Sequence, residues 1–103
     1  MMEISETEEL MRIISEGNLV LLDFWAPWCG PCRMLGSILD EVDGEVSGIA
    51  ILKINVDEAK EIASEYGIQT LPTLILIKNQ QQVDMKTGFI SKSGILQWIE
   101  KFK

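Results

Sequence analysis

The residues best suited to chemistry in this sequence are two cysteines that lie three positions apart. Cys29 and Cys32 enclose Gly30-Pro31, after an apolar run typical of a strand and before a helical pattern. The N-terminus of a helix stabilises a thiolate through its unpaired backbone N–H groups and partial positive charge, and proline fits its first turn. We therefore predict that Cys29 is the exposed attacking sulfur in thiol–disulfide exchange. The shielded Cys32 would then resolve the mixed disulfide.

Three other uses of the cysteine pair compete with this interpretation. A structural disulfide closing so short a loop would contribute only about 2 kcal/mol, which is little for a domain with an adequate core. A zinc site normally takes four Cys or His ligands, and a chain with two cysteines and no histidine cannot close one within a monomer, so we expect no metal site. The third alternative is two unrelated buried thiols. The C-x-x-C spacing beside a strand–helix–strand pattern favours redox chemistry.

The composition bounds the fold and the partners. A chain of 103 residues predicts one domain spanning residues 1–103, and 24% charged residues with 47% hydrophobic ones argue against disorder. The net charge of −7 repels phosphate backbones, so we expect no nucleic-acid partner. We also expect a monomer.

The same sequence gives an expectation for location. No apolar run approaches the roughly 18 residues that a membrane helix needs, so we expect no membrane partner. The segment Met1 to Glu6 has neither the basic nor the apolar region of a secretory signal. We therefore expect a cytoplasmic protein. Two cysteines in such reducing surroundings are more often catalytic or metal-binding than structural.

The hydrophobic pattern predicts the elements that position the cysteines. Their order is helix, strand, helix, strand, helix, strand, strand, helix, with strands at 19–25, 49–56, 73–77 and 83–87. Ser5, Asp57 and Ser91 are predicted to cap the first, third and last helices, and Asp43-Gly44 to end the second. Buried strands alternating with helices predict an α/β fold with a largely parallel central sheet, which the final hairpin makes mixed.

At this point the sequence resembles the thioredoxin family. The matching segments are DFWAPWCGPC at 23–32, KINVD at 53–57, YGI at 66–68 and LPTL at 71–74, and the match runs from about Ser5 to the C-terminus. The resemblance implies a thioredoxin fold, with a mixed sheet of four or five strands flanked by helices. It also implies a protein-disulfide reductase with no bound cofactor. An external thioredoxin reductase would re-reduce it with electrons from NADPH, and its other partners would be disulfide-containing target proteins.

Asp23 interrupts an otherwise apolar strand. A buried carboxylate without a partner is costly, so it should be largely neutral or partnered, unless it lies at an edge and points to solvent. The resemblance implies that Asp23 is a buried proton acceptor for Cys32, with a pKa raised by desolvation. It also places Lys53 near Asp23, where Lys53 would modulate proton transfer; otherwise Lys53 is a snorkelling residue on a half-exposed face.

The resemblance further implies a docking surface around Cys29. Pro72 would follow a cis peptide bond beside the cysteines, leaving the backbone of Leu71 to pair with an extended substrate, although a trans proline could simply open the strand. An apolar rim suits docking of varied proteins. The rim would comprise Trp28, Gly30, Pro31, Ile68, Leu71, Gly88 and Phe89. Ile68 and Leu71 could instead be core, and Gly88 only a bend; Trp25 is expected in the core.

The sequence also departs from the family pattern. Pro27, Gly36-Ser37, Asn79-Gln80 and Phe89 stand where the family usually has other residues. Without the expected Asn-Gly, the hairpin at Asn79-Gln80 is predicted to be longer or of another type. Two alternatives to a reductase stay open: a non-catalytic binding module using the same rim, and an oxidase or isomerase.

Overall fold

A computed structural model describes residues Met1–Lys103, arranged as one five-stranded sheet with four helices. The strands are β1 (Met2–Glu3), β2 (Leu19–Trp25), β3 (Ala50–Asn55), β4 (Thr73–Lys78) and β5 (Gln81–Thr87). The helices are α1 (Thr7–Glu16), α2 (Gly30–Glu45), α3 (Lys60–Glu65) and α4 (Lys92–Phe102). The predicted α/β class and mixed sheet are confirmed.

The sheet has the order β1-β3-β2-β4-β5, so β2 lies at its centre. β1 and β2 each run parallel to β3, whereas β4 is antiparallel to both β2 and β5. The parallel pair β2 and β3 is joined through α2, as a crossover connection requires. The cysteine motif therefore lies where the central strand feeds the crossover helix.

Each strand sends alternate residues to opposite faces of the sheet. Val20, Leu22 and Phe24 pack on one face with Leu10 and Ile14 of α1. The other residues of β2, beginning with Leu19 and Leu21, point to the opposite face. These pack against α2 and α4, through Leu35, Leu39, Val42, Ile95, Trp98 and Ile99. The first face is also covered by α3 through Ile62, so we call the two faces the α1/α3 face and the α2/α4 face.

Several predicted helix ends are wrong. The first helix begins at Thr7 with Glu6 at its N-cap, and the third begins at Lys60 with Ala59 at its N-cap, and neither has a side-chain cap. The second continues through Gly44 to Glu45. Ser91 is confirmed as a cap, since its Oγ accepts a hydrogen bond from the N–H of Gly94 at 3.1 Å.

Two features of the sheet differ from the prediction. β1 was not expected, because a strand of two residues has no periodicity to detect. The hairpin turn is not longer than two residues: Lys78 pairs with Gln81, and Asn79 and Gln80 both take positive φ values, 51° and 70°. The ladder fixes this tight turn despite the unfavourable backbone region for glutamine.

Candidate active site

The cysteines lie at the N-terminus of α2. Cys29 is the N-cap residue in an extended conformation, and its Sγ accepts a hydrogen bond from the N–H of Cys32 at 3.3 Å. The two cysteines form a disulfide, with 5.2 Å between their Cα atoms, and Pro31 lies in the first turn between them. The exposed fraction is 7% for Cys29 and 2% for Cys32. Cys29 is thus the less buried of the two cysteines, although it is not exposed as predicted, and an opened pair would place its sulfur at the positive end of the helix.

A shallow cleft of about 310 Å³ adjoins Cys29. Its lining is largely apolar and consists of Trp28, Cys29, Val56, Ile68, Gln69 and Leu71. The cleft thus brings three of the predicted rim residues beside the outer sulfur, together with two residues that the sequence did not single out. Gly30 and Pro31 begin α2 and do not line the cleft.

The segment before β4 borders the same region. The Leu71–Pro72 peptide bond is cis, and Pro72 is buried. Its carbonyl accepts a hydrogen bond from the N–H of Gly88 at 2.9 Å, whereas neither backbone group of Leu71 is engaged in a backbone hydrogen bond. Phe89 follows with 50% of its surface exposed. Gly88 therefore supports Pro72, and the backbone N–H and carbonyl of Leu71 have no backbone partner within the protein.

Asp23 is completely buried in the central strand. Alternation along β2 puts its side chain on the α2/α4 face, the face covered by the helix that carries Cys32. Neither carboxyl oxygen has a hydrogen-bond partner in the protein. Burial raises the pKa of Asp23 to about 7, Lys53 lowers it and Glu3 adds a smaller upward contribution. The interpretation of Asp23 as a solvent-facing edge residue is wrong.

Lys53 is half-buried and adjacent to Asp23 across the β2–β3 ladder. Its Nζ lies 4.4 Å from the centre of the Trp25 ring, an arrangement typical of a cation–π contact. The ammonium also lies beside α2, since a Cβ built at Gly36 would be 3.8 Å from the Lys53 Nζ, an ordinary contact distance. Lys53 is thus a half-buried cation that lies near Asp23.

The exposed Trp28 is tied to the loop after β3. Its Nε1–H donates a hydrogen bond to Asp57 Oδ2 at 3.0 Å, and 71% of its surface is exposed. Asp57, predicted as a helix cap, serves instead as this partner. The contact joins residues 29 positions apart, so no local sequence signal identifies it.

The comparison with known families agrees with this geometry, because the thioredoxin profile matches residues 2–101. The chain belongs to the thioredoxin family.

Individual members of the thioredoxin family are similar over most of the chain. A thioredoxin from Rickettsia felis is 52% identical over 83 residues, which cover 80% of this chain and 79% of that protein. Thioredoxin 1 from Nostoc sp. is 40% identical over 100 residues, covering 96% and 94% of the two. The solved structure of a Plasmodium falciparum thioredoxin matches with a TM-score of 0.93 at 32% identity, and the match covers 100% of each chain.

Family membership and the Cys29–Cys32 disulfide establish the class of chemistry. This thioredoxin-family chain is a protein dithiol–disulfide oxidoreductase, and its substrates are disulfides of other proteins. No group of three or more His, Cys, Asp or Glu side chains could hold a metal ion. None of the helices combines the length and apolar character needed to cross a membrane.

Proposed function

We propose that the chain works as a thioredoxin in the reducing direction, with Cys29 as the nucleophile. The observation that carries this proposal is the position of Cys29 as the N-cap residue of α2, where its Sγ accepts a hydrogen bond from the N–H of Cys32. In the reduced protein the same N–H and the helix dipole would stabilise the Cys29 thiolate. That thiolate attacks one sulfur of a target disulfide, the other target sulfur leaves as a thiolate, and a mixed disulfide forms.

Cys32 then resolves the mixed disulfide with the help of Asp23. The Asp23 carboxylate takes the proton from the Cys32 thiol, and the resulting thiolate attacks the Sγ of Cys29. The bond between Cys29 and the target breaks, and the second target thiolate leaves. The dithiol has then lost two electrons and the target has gained them. A pKa of about 7 supports this role, because Asp23 can both accept and return a proton near neutral pH.

The surroundings of Cys29 would bind the target. We assign docking to the apolar cleft and to the backbone of Leu71, with Trp28, Ile68, Gly88 and Phe89 around them and Gly30-Pro31 at the helix start. Pro72 offers no N–H, so the adjoining backbone groups of Leu71 are the ones left to pair with an extended segment. Lys53, near Asp23, would tune the proton transfer.

The remaining parts of the proposal rest on family membership. The oxidised chain would be returned to the dithiol form by a thioredoxin reductase that draws electrons from NADPH. We further propose that the chain acts as a monomeric single domain in the cytoplasm, without a bound cofactor.

The test uses the two cysteine variants with a disulfide-bonded protein as substrate. Cys29→Ser should lose reductase activity by about a thousandfold or more, because the nucleophile is gone. Cys32→Ser keeps the nucleophile but lacks the resolving thiol, so it should accumulate a mixed disulfide detectable by mass spectrometry. Equal activity of Cys29→Ser and the natural protein would refute the assignment. A Cys29/Cys32 reduction potential well above that of the glutathione pool would refute the reducing direction.

A further inference from the structure

A row of charged residues crosses the sheet at Asp23. In the strand register, Glu3 of β1 lies beside Lys53 of β3, and Lys53 lies beside Asp23 of β2. Residues that pair in this way point to the same face of a sheet. The α2/α4 face therefore carries a negative, a positive and a titrating group on three successive strands.

Trp25 fixes the position of the Glu3 carboxylate, which belongs to the edge strand β1. Its Nε1–H donates a hydrogen bond to Glu3 Oε2 at 3.1 Å, while its ring lies beneath the Lys53 Nζ at 4.4 Å. Trp25 lies two positions after Asp23 on β2 and so shares its face. One indole thus holds the carboxylate at its edge and the ammonium over its ring.

The short strand β1 is itself anchored, so Glu3 is not a loose terminal residue. Met2 pairs with Leu52, and the N–H of Ile4 donates to the carbonyl of Lys53 at 2.8 Å. Ile4 is completely buried, and the ammonium of Met1 forms an ion pair with Asp43 at 3.3 Å. The residues on both sides of Glu3 are therefore held.

The other elements around Asp23 contribute little competing charge. β4 places Leu74 beside it, and α4 contributes apolar side chains to this face. Beyond Leu74, β5 carries Lys86, whose Nζ lies over the Trp98 ring at 5.6 Å. α2 contributes the titratable Cys29 and Cys32, which form a disulfide here. Lys53 and Glu3 are thus the charges that act on Asp23.

From this arrangement we propose that Glu3, held by Trp25, is a positioning residue that offsets the charge of Lys53 at Asp23. Glu3 thereby sets the pH range in which Asp23 accepts the proton of Cys32. The inference rests on the role proposed for Asp23. Glu3 touches neither sulfur and acts only through the electrostatic field at Asp23.

The size of the effect follows from the strand spacing. Two neighbouring spacings put Glu3 about 10 Å from Asp23 at the backbone. A unit charge at that distance shifts a pKa by roughly 0.3 to 1 unit, for an effective dielectric constant between that of water and that of a protein surface. Glu3 raises the pKa of Asp23, so removing its charge lowers that pKa.

The experiment compares Glu3→Gln with Glu100→Gln, an equal change of net charge at an exposed residue of α4 that does not act on Asp23. The glutamine at position 3 can still accept the indole hydrogen bond. The Asp23 carboxyl is titrated by carbon NMR in the oxidised protein. The pH profile of mixed-disulfide resolution is measured by stopped flow. We expect Glu3→Gln to move both midpoints down by about 0.3 to 1 pH unit, and Glu100→Gln to move neither.

Each result separates the inference from the function on which it rests. Equal Asp23 midpoints in Glu3→Gln and Glu100→Gln would overturn the inference while leaving the role of Asp23 intact. A shifted NMR midpoint with an unshifted resolution profile would overturn the role of Asp23 instead. Trp25→Phe keeps the ring beneath Lys53 but removes the N–H, so it should give a smaller downward shift than Glu3→Gln. No shift in Trp25→Phe would exclude the indole as the holder of Glu3.

Discussion

The two faces of the sheet are built from the same strands and are both buried, yet they differ in chemistry. On the α1/α3 face, β2 contributes Val20, Leu22 and Phe24, each no more than 1% exposed. On the α2/α4 face, the same strand contributes Leu21 and then Asp23, which is also completely buried. On the first face β2 contributes only apolar side chains, whereas on the other it places a buried carboxyl group beneath the redox helix.

This difference shows where the molecule gives up stability for function. Burying Leu22 stabilises the fold by removing apolar surface from water. Burying Asp23 destabilises the fold whenever the carboxyl is ionised, and the raised pKa measures that cost. Two neighbouring residues with the same burial therefore act in opposite directions.

The largest difference between the two faces is expected in the free energy of unfolding, when Asp23→Asn is compared with Leu22→Ala. The native state binds more protons than the unfolded state between pH 3.8 and about 7, so the stability of the natural protein falls as pH rises through that window. Asp23→Asn removes this loss and should add about 4 kcal/mol to the free energy of unfolding at pH 9, and little at pH 3. Leu22→Ala should subtract about 2–5 kcal/mol at both pH values. Denaturant unfolding at the two pH values measures both variants.

The same Asp23→Asn variant tests the proton acceptor. Resolution of the mixed disulfide should slow by about a hundredfold near pH 7, since a positioned base typically contributes that much. Attack by Cys29 should change less. If Asp23→Asn were destabilising at pH 9, the interpretation that the buried Asp23 carboxylate lowers the stability of the fold would be wrong.

A smaller effect is expected from the cation next to Asp23. Lys53→Met removes a charge that lowers the pKa of Asp23, so the pKa should rise, and the resolution profile should move up by about one pH unit. Lys53→Arg keeps the charge and is the matched control, with little shift expected. A downward shift in Lys53→Met would contradict the arrangement of charges on this face.

The sequence predicted those parts of the molecule that depend on local patterns. The apolar run of β2, the helix after Cys32 and the cap at Ser91 all follow from residues within a few positions of each other. Strand alternation also explains why Asp23 must share a face with Leu21. The class of fold and the position of the cysteines at a helix start could therefore be predicted.

The rest depends on contacts between distant segments. β1 forms only because β3 offers an edge, and Asp57 pairs with Trp28 instead of capping the nearby helix. Glu3 reaches Trp25 across 22 positions, a contact that no spacing rule encodes. These residues lie around the cysteines and Asp23. The thiol chemistry could therefore be predicted from the sequence, whereas the distant residues that act on it could not.

The smallest effect is expected at the turn of the β4–β5 hairpin, because its residues Asn79 and Gln80 are exposed and belong to neither core cluster. Gln80 has a φ of 70°, where a residue with a Cβ is strained and glycine is not. Gln80→Gly should therefore stabilise the protein by about 0.5–1 kcal/mol, less a small loss from the hydrogen bond of Gln80 to the carbonyl of Ser15. Calorimetry should show a Tm higher by about 2–6 °C.

Gln81→Gly is the control for this hairpin variant, because Gln81 lies in β5 and pairs with Lys78. Glycine at an ordinary strand position should lower the Tm, since it only adds flexibility to the unfolded chain. Both variants should keep the natural rate and pH profile of mixed-disulfide resolution. A hairpin change that altered the profile would show that stability in general, and not the charges around Asp23, governs the proton transfer. An unchanged pH profile would leave the charges on the α2/α4 face as the groups that govern the proton transfer.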